Sequence, residues 1–90
     1  TILHDMAQRG YIDKAELLLK YGADINAIDD EYLSTPLGMA ARWGHIEMVK
    51  FLLQKGADPG KSGSRWSTPL NWAIKKQHQE IIDILEKAGK

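Results

Sequence analysis

Residues 35–58 read TPLGMAARWGHIEMVKFLLQKGAD, and residues 1–24 read TILHDMAQRGYIDKAELLLKYGAD. Laid one on the other, the two stretches agree at ten positions, among them Leu3 with Leu37, Ala7 with Ala41, Gly10 with Gly44 and Leu18 with Leu52. A third copy opens at Thr68. Thr1, Thr35 and Thr68 are spaced by 34 and 33 residues, and Gly22, Gly56 and Gly89 reproduce both spacings. A period of this length marks a chain of supersecondary units that stack, because one unit alone cannot bury its apolar face. Thr to Gly is 21 residues in every unit, so the one-residue difference in period lies in the turn segment after Gly22.

Each unit predicts two helices. The start is clearest at Thr35-Pro36 and Thr68-Pro69, where a threonine hydroxyl can cap the first amides and proline occupies the first helical position. The first helix runs about eight residues and stops near Gly10 and Gly44, since glycine takes the left-handed conformation that closes a helix. In the second helix Ile46, Val49, Phe51, Leu52 and Leu53 fall on one broad face, as do Ile12, Ala15, Leu17, Leu18 and Leu19. Gly22 and Gly56 end the second helices. The stretches from Ala23 to Ser34 and from Ala57 to Ser67 carry Asp, Asn, Gly, Ser and a single Pro, and read as projecting turns.

The words Thr35-Pro36-Leu37, Ala40-Ala41, Gly44-His45 and Gly56-Ala57-Asp58 resemble the ankyrin repeat, and Thr1, Leu3, His4, Ala7, Gly10 and the run Gly22 to Ala27 extend the resemblance over essentially the whole chain. Tetratricopeptide repeats share the period but not these words. The resemblance implies an all-α solenoid of stacked antiparallel helix pairs with projecting β-turn or hairpin fingers. It implies one domain over residues 1–90, with repeats at 1–34, 35–67 and 68–90.

Departures from the family pattern concentrate in the end units and the fingers. Lys14 and Glu16 stand where the middle unit has Met48 and Lys50, and Asp5 replaces an apolar residue. Gln77 replaces the loop glycine, with Lys75, Lys76, Gln79, Glu86 and Lys87 around the last helices. Both end units are therefore expected to turn polar capping faces to water. Where the family has Asp and Gly before Thr-Pro, the fingers have Asp30 and Leu33, then Gly63 and Trp66, so regular hairpins are not expected. Asn26, at the family's asparagine position, becomes Gly60 in the second finger, which removes a side-chain bracket there.

Composition excludes several function classes. Hydrophobic residues make up 43% and charged residues 27%, an ordinary globular balance. Twelve Lys plus Arg offset twelve Asp plus Glu, so no net positive field draws the chain to nucleic acid or to an anionic membrane. The longest apolar runs are three residues, against the ~20 that cross a bilayer. With no cysteine there is no disulfide framework and no thiolate metal site, and an intracellular, cytoplasmic setting is the expectation. The chain begins without Met or a signal-peptide pattern, which suggests a fragment of a longer protein.

Three histidines and one acidic run are the titratable groups that could carry chemistry. His45 and His78 occupy the family's Gly-His position and His4 its Thr-Pro-Leu-His position, so structural roles are expected. His45 and His78, one repeat apart, would stand ~10 Å from each other, too far to share a zinc ion. Asp29, Asp30 and Glu31 lack the following glycine and bidentate glutamate of a calcium loop and read as a solvated finger. No phosphate loop, nucleophile elbow or Cys-His pair occurs. No enzyme activity, cofactor or metal is expected.

What remains is a surface. In the ankyrin family partners meet the fingertips and the exposed side of the first helices, the concave face. Carried over by position, that strip holds Glu31, Tyr32 and Leu33 on the first finger and Ser64, Arg65 and Trp66 on the second. Arg42 and Trp43, then Lys75 and Lys76, lie on the helix ends, with Gln8 and Arg9 before them. Trp43, Trp66, Tyr32 and the two arginines are the residue types that dominate interfaces, because they desolvate large areas at low entropic cost. Trp66 and Tyr32 alternatively pack neighbouring fingers together, whereas Trp72 and Met39 read as core and Trp43 as surface. The expected function is a monomeric protein-binding module. Its alternative is a structural or adaptor segment of a larger protein, without a ligand of its own.

Overall fold

The computed structural model describes residues 1–89. Three helix pairs follow one another: α1 (Ile2–Arg9) with α2 (Ile12–Lys20), α3 (Pro36–Arg42) with α4 (Ile46–Gln54), and α5 (Pro69–Lys75) with α6 (Gln79–Ala88). Among the described residues there is no β-strand.

The threonines perform the capping that their positions predict. Thr1, Thr35 and Thr68 each accept, through Oγ1, the amide of the residue three positions on, at 3.2, 3.2 and 3.1 Å. Each first helix then closes the same way: Tyr11, His45 and His78 donate their amides to the carbonyls of Met6, Ala40 and Ala73, at 2.9 to 3.0 Å. This bond spans a left-handed residue, which is Gly10 in the first unit and Gly44 in the second (φ 75° and 76°). In the third unit Gln77 takes the same conformation (φ 61°) although it carries a side chain.

The first helices pack side by side, α1 on α3 on α5, more intimately than α2, α4 and α6 pack on one another. Small residues permit this. Ala7, Ala40, Ala41 and Ala73 are buried along the first-helix row, while Met48, Val49, Leu52, Ile81 and Leu85 fill the space toward the second row. Leu3 and Leu37 join the two rows into one core. Burying a leucine of this kind contributes roughly 1.5–3 kcal/mol.

Histidine side chains tie consecutive units together. The Nε2–H of His45 donates to the Gln8 carbonyl at 2.7 Å, and that of His78 to the Arg42 carbonyl at 3.2 Å. Each satisfies a carbonyl that the last turn of the preceding first helix leaves without an intrahelical partner. His4 plays a related part. It is buried, donates from Nε2 to the Ser34 carbonyl at 2.8 Å, and accepts the Thr1 hydroxyl at Nδ1, also at 2.8 Å.

The end units are less polar than their charged residues predict. Lys14 and Glu16 are exposed, and Asp5 pairs with Arg9 at 3.1 Å. Yet Ile2 is 66% exposed and Leu17 53%, and at the other end Ile74 is 52% exposed. For Ile2 and Ile74 the counterparts explain why. Pro36 and Pro69 hold the place of Ile2 and are buried by the preceding unit; Ala7 and Ala41 hold the place of Ile74 and are buried by the following one. The end faces are thus stacking faces with charges placed around them.

The second finger also departs from expectation. It carries a short 3-10 turn, Arg65–Ser67, ahead of Thr68. The first finger closes with a single backbone bond, from the Asp29 amide to the Ser34 carbonyl at 3.0 Å, with Leu33 left-handed at φ 50°.

Candidate functional site

Serine precedes Thr-Pro in both later units, and these two buried residues, Ser34 and Ser67, organise the fingers. Ser34 Oγ receives the indole N–H of Trp72 at 2.8 Å and donates to the Tyr32 carbonyl at 2.8 Å, with the Ser67 carbonyl 3.2 Å away. Ser67 Oγ donates to the Leu33 carbonyl at 2.7 Å, which also accepts the Gly63 amide at 2.7 Å. The fingers are therefore cross-linked through polar atoms rather than standing apart.

Asp29 holds the first finger's shape. Its carboxylate accepts the Tyr32 amide at 2.9 Å and the Ser34 amide at 2.8 Å. Burial by itself would raise the Asp29 pKa, but these amide bonds, with His4 nearby, outweigh it and hold the group below the usual 3.8. His4 moves down from 6.5, chiefly because burial disfavours the charged imidazole, against the Ser34 carbonyl bond that favours it.

These bonds seat an aromatic cluster. Trp72, 4% exposed, is its base: Tyr32 meets it edge-on at 6.1 Å and 79°, and Trp66 at 5.8 Å and 82°. Both geometries are the favoured edge-to-face kind. Arg42 lies over the cluster with its guanidinium carbon 4.5 Å from the Tyr32 ring centroid, 4.7 Å from Trp43 and 5.1 Å from Trp72. Lys75 places its ammonium 5.6 Å from the Trp72 ring. Trp43 is 49% exposed and Trp66 53%, so two indoles remain open beside the buried one.

The ten strip residues divide accordingly. Tyr32, Arg42, Trp43, Trp66 and Lys75 converge around Trp72. Arg65, Lys76 and Glu31 are exposed with no ion-pair partner among the described residues, whose two ion pairs are Arg9–Asp5 and Lys50–Glu47. Leu33 and Ser64 belong to the finger linkage: Leu33 gives its carbonyl to two donors, and the Ser64 and Ser67 hydroxyls bond at 2.9 Å. Gln8 lends its carbonyl to His45. Sequence reasoning missed Ser34, Ser67 and Asp29 as organisers, although the serine before each Thr-Pro was a visible signal.

A family model for ankyrin repeats, in three copies, matches residues 3–90. The chain belongs to the ankyrin-repeat family. Ankyrin repeats are in general non-catalytic protein-interaction modules. Among known proteins this ankyrin-repeat chain is similar to the ARF GTPase-activating protein GIT2 of Mus musculus, 35% identical over 83 residues, covering 92% of this chain and 12% of the relative. It is also similar to a transient receptor potential cation channel subfamily A member 1 homolog of Caenorhabditis elegans, 40% identical, covering 97% of this chain and 7% of the relative. A third is the 2-5A-dependent ribonuclease of Mus musculus, 39% identical over 62 residues, covering 69% of this chain and 8% of the relative. The chain thus spans about a tenth of the length of the curated relatives it matches. No helix among the described residues is long and apolar enough to cross a membrane.

Proposed function

We propose that residues 1–90 act as one protein-recognition domain, divided at 34 and 67, that holds a protein partner on the concave side formed by the fingers and first helices. The observation that carries this reading is the pair of half-exposed indoles, Trp43 and Trp66, set beside a cationic fringe and braced by a buried aromatic base. Large rigid side chains held in place lose little entropy when a partner covers them, and such residues supply most of the energy of known interfaces. Tyr32, Arg42, Arg65, Lys75 and Lys76 complete the contact strip, with Glu31, Leu33 and Ser64 at its finger edge.

The test is affinity capture with the full-length parent protein, read by mass spectrometry, with and without alanine at both Trp43 and Trp66. The double variant is expected to lose the captured partner while keeping a cooperative melt. An unchanged set of partners in a folded double variant would remove the strip from consideration. The second reading, an adaptor segment with no ligand of its own, is favoured by one observation: the curated relatives are many times longer than the stretch they share with this chain. In that case both tryptophans tolerate alanine with no loss of capture by the parent. A monomeric state and an intracellular setting belong to the same proposal, the latter supported by the cysteine-free sequence; light scattering and localisation of the tagged parent check them.

A further inference from the structure

Arg42 is the group that the fold leaves chemically incomplete. Its Nε and Nη1 are sealed from water and donate to no acceptor, while the guanidinium lies among the rings of Tyr32, Trp43 and Trp72. A guanidinium stays charged in proteins, and a buried charge without a counter-charge is costly. The aromatic faces and the C-terminal end of α3 return part of that cost but supply no anion. No carboxylate pairs with it, since the two ion pairs among the described residues lie elsewhere. Of the three guanidinium nitrogens only Nη2 lies outside the seal, so a single amino group is left to meet a partner.

The surroundings favour an anion there. Arg42, Arg65, Lys75 and Lys76 put four cations on a strip whose exposed carboxylates are Asp30 and Glu31 on the first finger, in a chain balanced overall. The Asp29 carboxylate is already held by two amides. Beside this Arg42 amino group, the exposed indoles of Trp43 and Trp66 offer apolar area.

We propose that Arg42 anchors an acidic segment of a protein partner: a glutamate or aspartate side chain docks on the Nη2 amino group, and a neighbouring apolar side chain lies on Trp43 and Trp66. The inference rests on the concave-face reading above and makes it more specific. The desolvated, ring-framed guanidinium strengthens a charge-assisted bond, because the surrounding low dielectric weakens it less than water does. A nucleic-acid backbone fits less well. It needs a run of phosphate contacts, and this strip frames one cation closely on a chain of zero net charge.

The experiment pans a random dodecapeptide phage library on the whole chain, then measures the selected peptide, synthesised with capped ends, by calorimetry. Enrichment of an acidic residue beside an aliphatic or aromatic one is expected. Replacing that acidic residue by its amide is expected to weaken binding about tenfold or more, and so is Arg42→Met. Arg42→Met is also expected to melt no lower than the parent, because it removes an uncompensated buried charge and keeps an apolar stem; a merely structural arginine would lower the melting temperature. Arg42→Lys is expected to bind weakly, since a compact, strongly hydrated ammonium does not keep the guanidinium's stacking among the three rings. The proposal is overturned by any of four results: selection without acidic enrichment, no selected binder, unchanged affinity of Arg42→Met, or tighter Arg42-dependent binding of a dodecamer of single-stranded DNA. If alanine at Trp43 and Trp66 removes peptide binding while Arg42→Met does not, the acidic-anchor inference fails alone. If neither variant matters, the concave-face reading falls with it.

Discussion

Gly44 and Gln77 occupy the same place in consecutive units and the same left-handed backbone, yet only one is glycine. A side chain in this conformation costs on the order of 1 kcal/mol. Gln77→Gly is therefore expected to raise stability by about 0.5–1 kcal/mol in urea titrations, after allowing for the extra freedom glycine gives the unfolded chain. Gly44→Ala runs the other way. A Cβ there would come within 2.8 Å of the His78 ring, which its bond to the Arg42 carbonyl fixes in place. A loss of about 1–3 kcal/mol is expected. Gly56 has a similar positive φ but open space around it, so Gly56→Ala is expected to cost clearly less. His4 and Asp29 belong to this scale as well. Both have folded pKa values below their ordinary 6.5 and 3.8, so the folded state binds fewer protons than the unfolded chain. Their stabilising contributions are fully present above those ordinary values and are lost as pH falls through the folded ones. Stability should decline in two steps, beginning below pH 6.5 and again below pH 3.8. His4→Gln should remove the first, as followed by melting temperature against pH.

At the scale of elements, the helices were legible and the fingers only partly so. Threonine caps, prolines at the first turn and left-handed glycines act within a few residues of one another, so spacing alone placed two helices in each unit. The 3-10 turn at Arg65–Ser67 was not legible. It depends on Ser67 reaching the Leu33 carbonyl and on Trp66 lying against Trp72, contacts to another finger and another helix. Ser34 shows what such contacts are worth. Ser34→Ala would strand the Trp72 indole N–H in a buried site, with an expected loss of about 1–3 kcal/mol in chemical denaturation. A value near zero would mean that the indole finds water or another acceptor. The candidate strip divides along the same line: Trp43 was readable as surface and Trp72 as core, but the structural use of Leu33 and Ser64 was not.

For the whole molecule, stability is shared between neighbours. Met39 and Leu37 are buried although each belongs to a unit that could not cover both its faces by itself. Removing residues 68–90 would uncover the side of α3 and α4 that α5 and α6 now shield and would take away Trp72. The truncated chain is expected to be poorly folded by circular dichroism, since about three repeats are the minimum for a stable stack. A cooperative melt near the parent temperature would contradict this. The apolar residues Ile2 and Ile74 on the end faces follow from the same periodicity, because each repeats a position that is buried in the other units.

By itself the sequence determined the period, the two helices of each unit, their caps and the family, because all of these rest on spacing and on local backbone preference. Only the tertiary structure decided how the fingers bond to each other and that Arg42 lies half-enclosed by rings, with no carboxylate paired to it among the described residues. The physical reason is distance along the chain: Tyr32, Trp43 and Trp72 stand ten, one and thirty residues from Arg42, and what brings them around one guanidinium is the packing of one unit on the next.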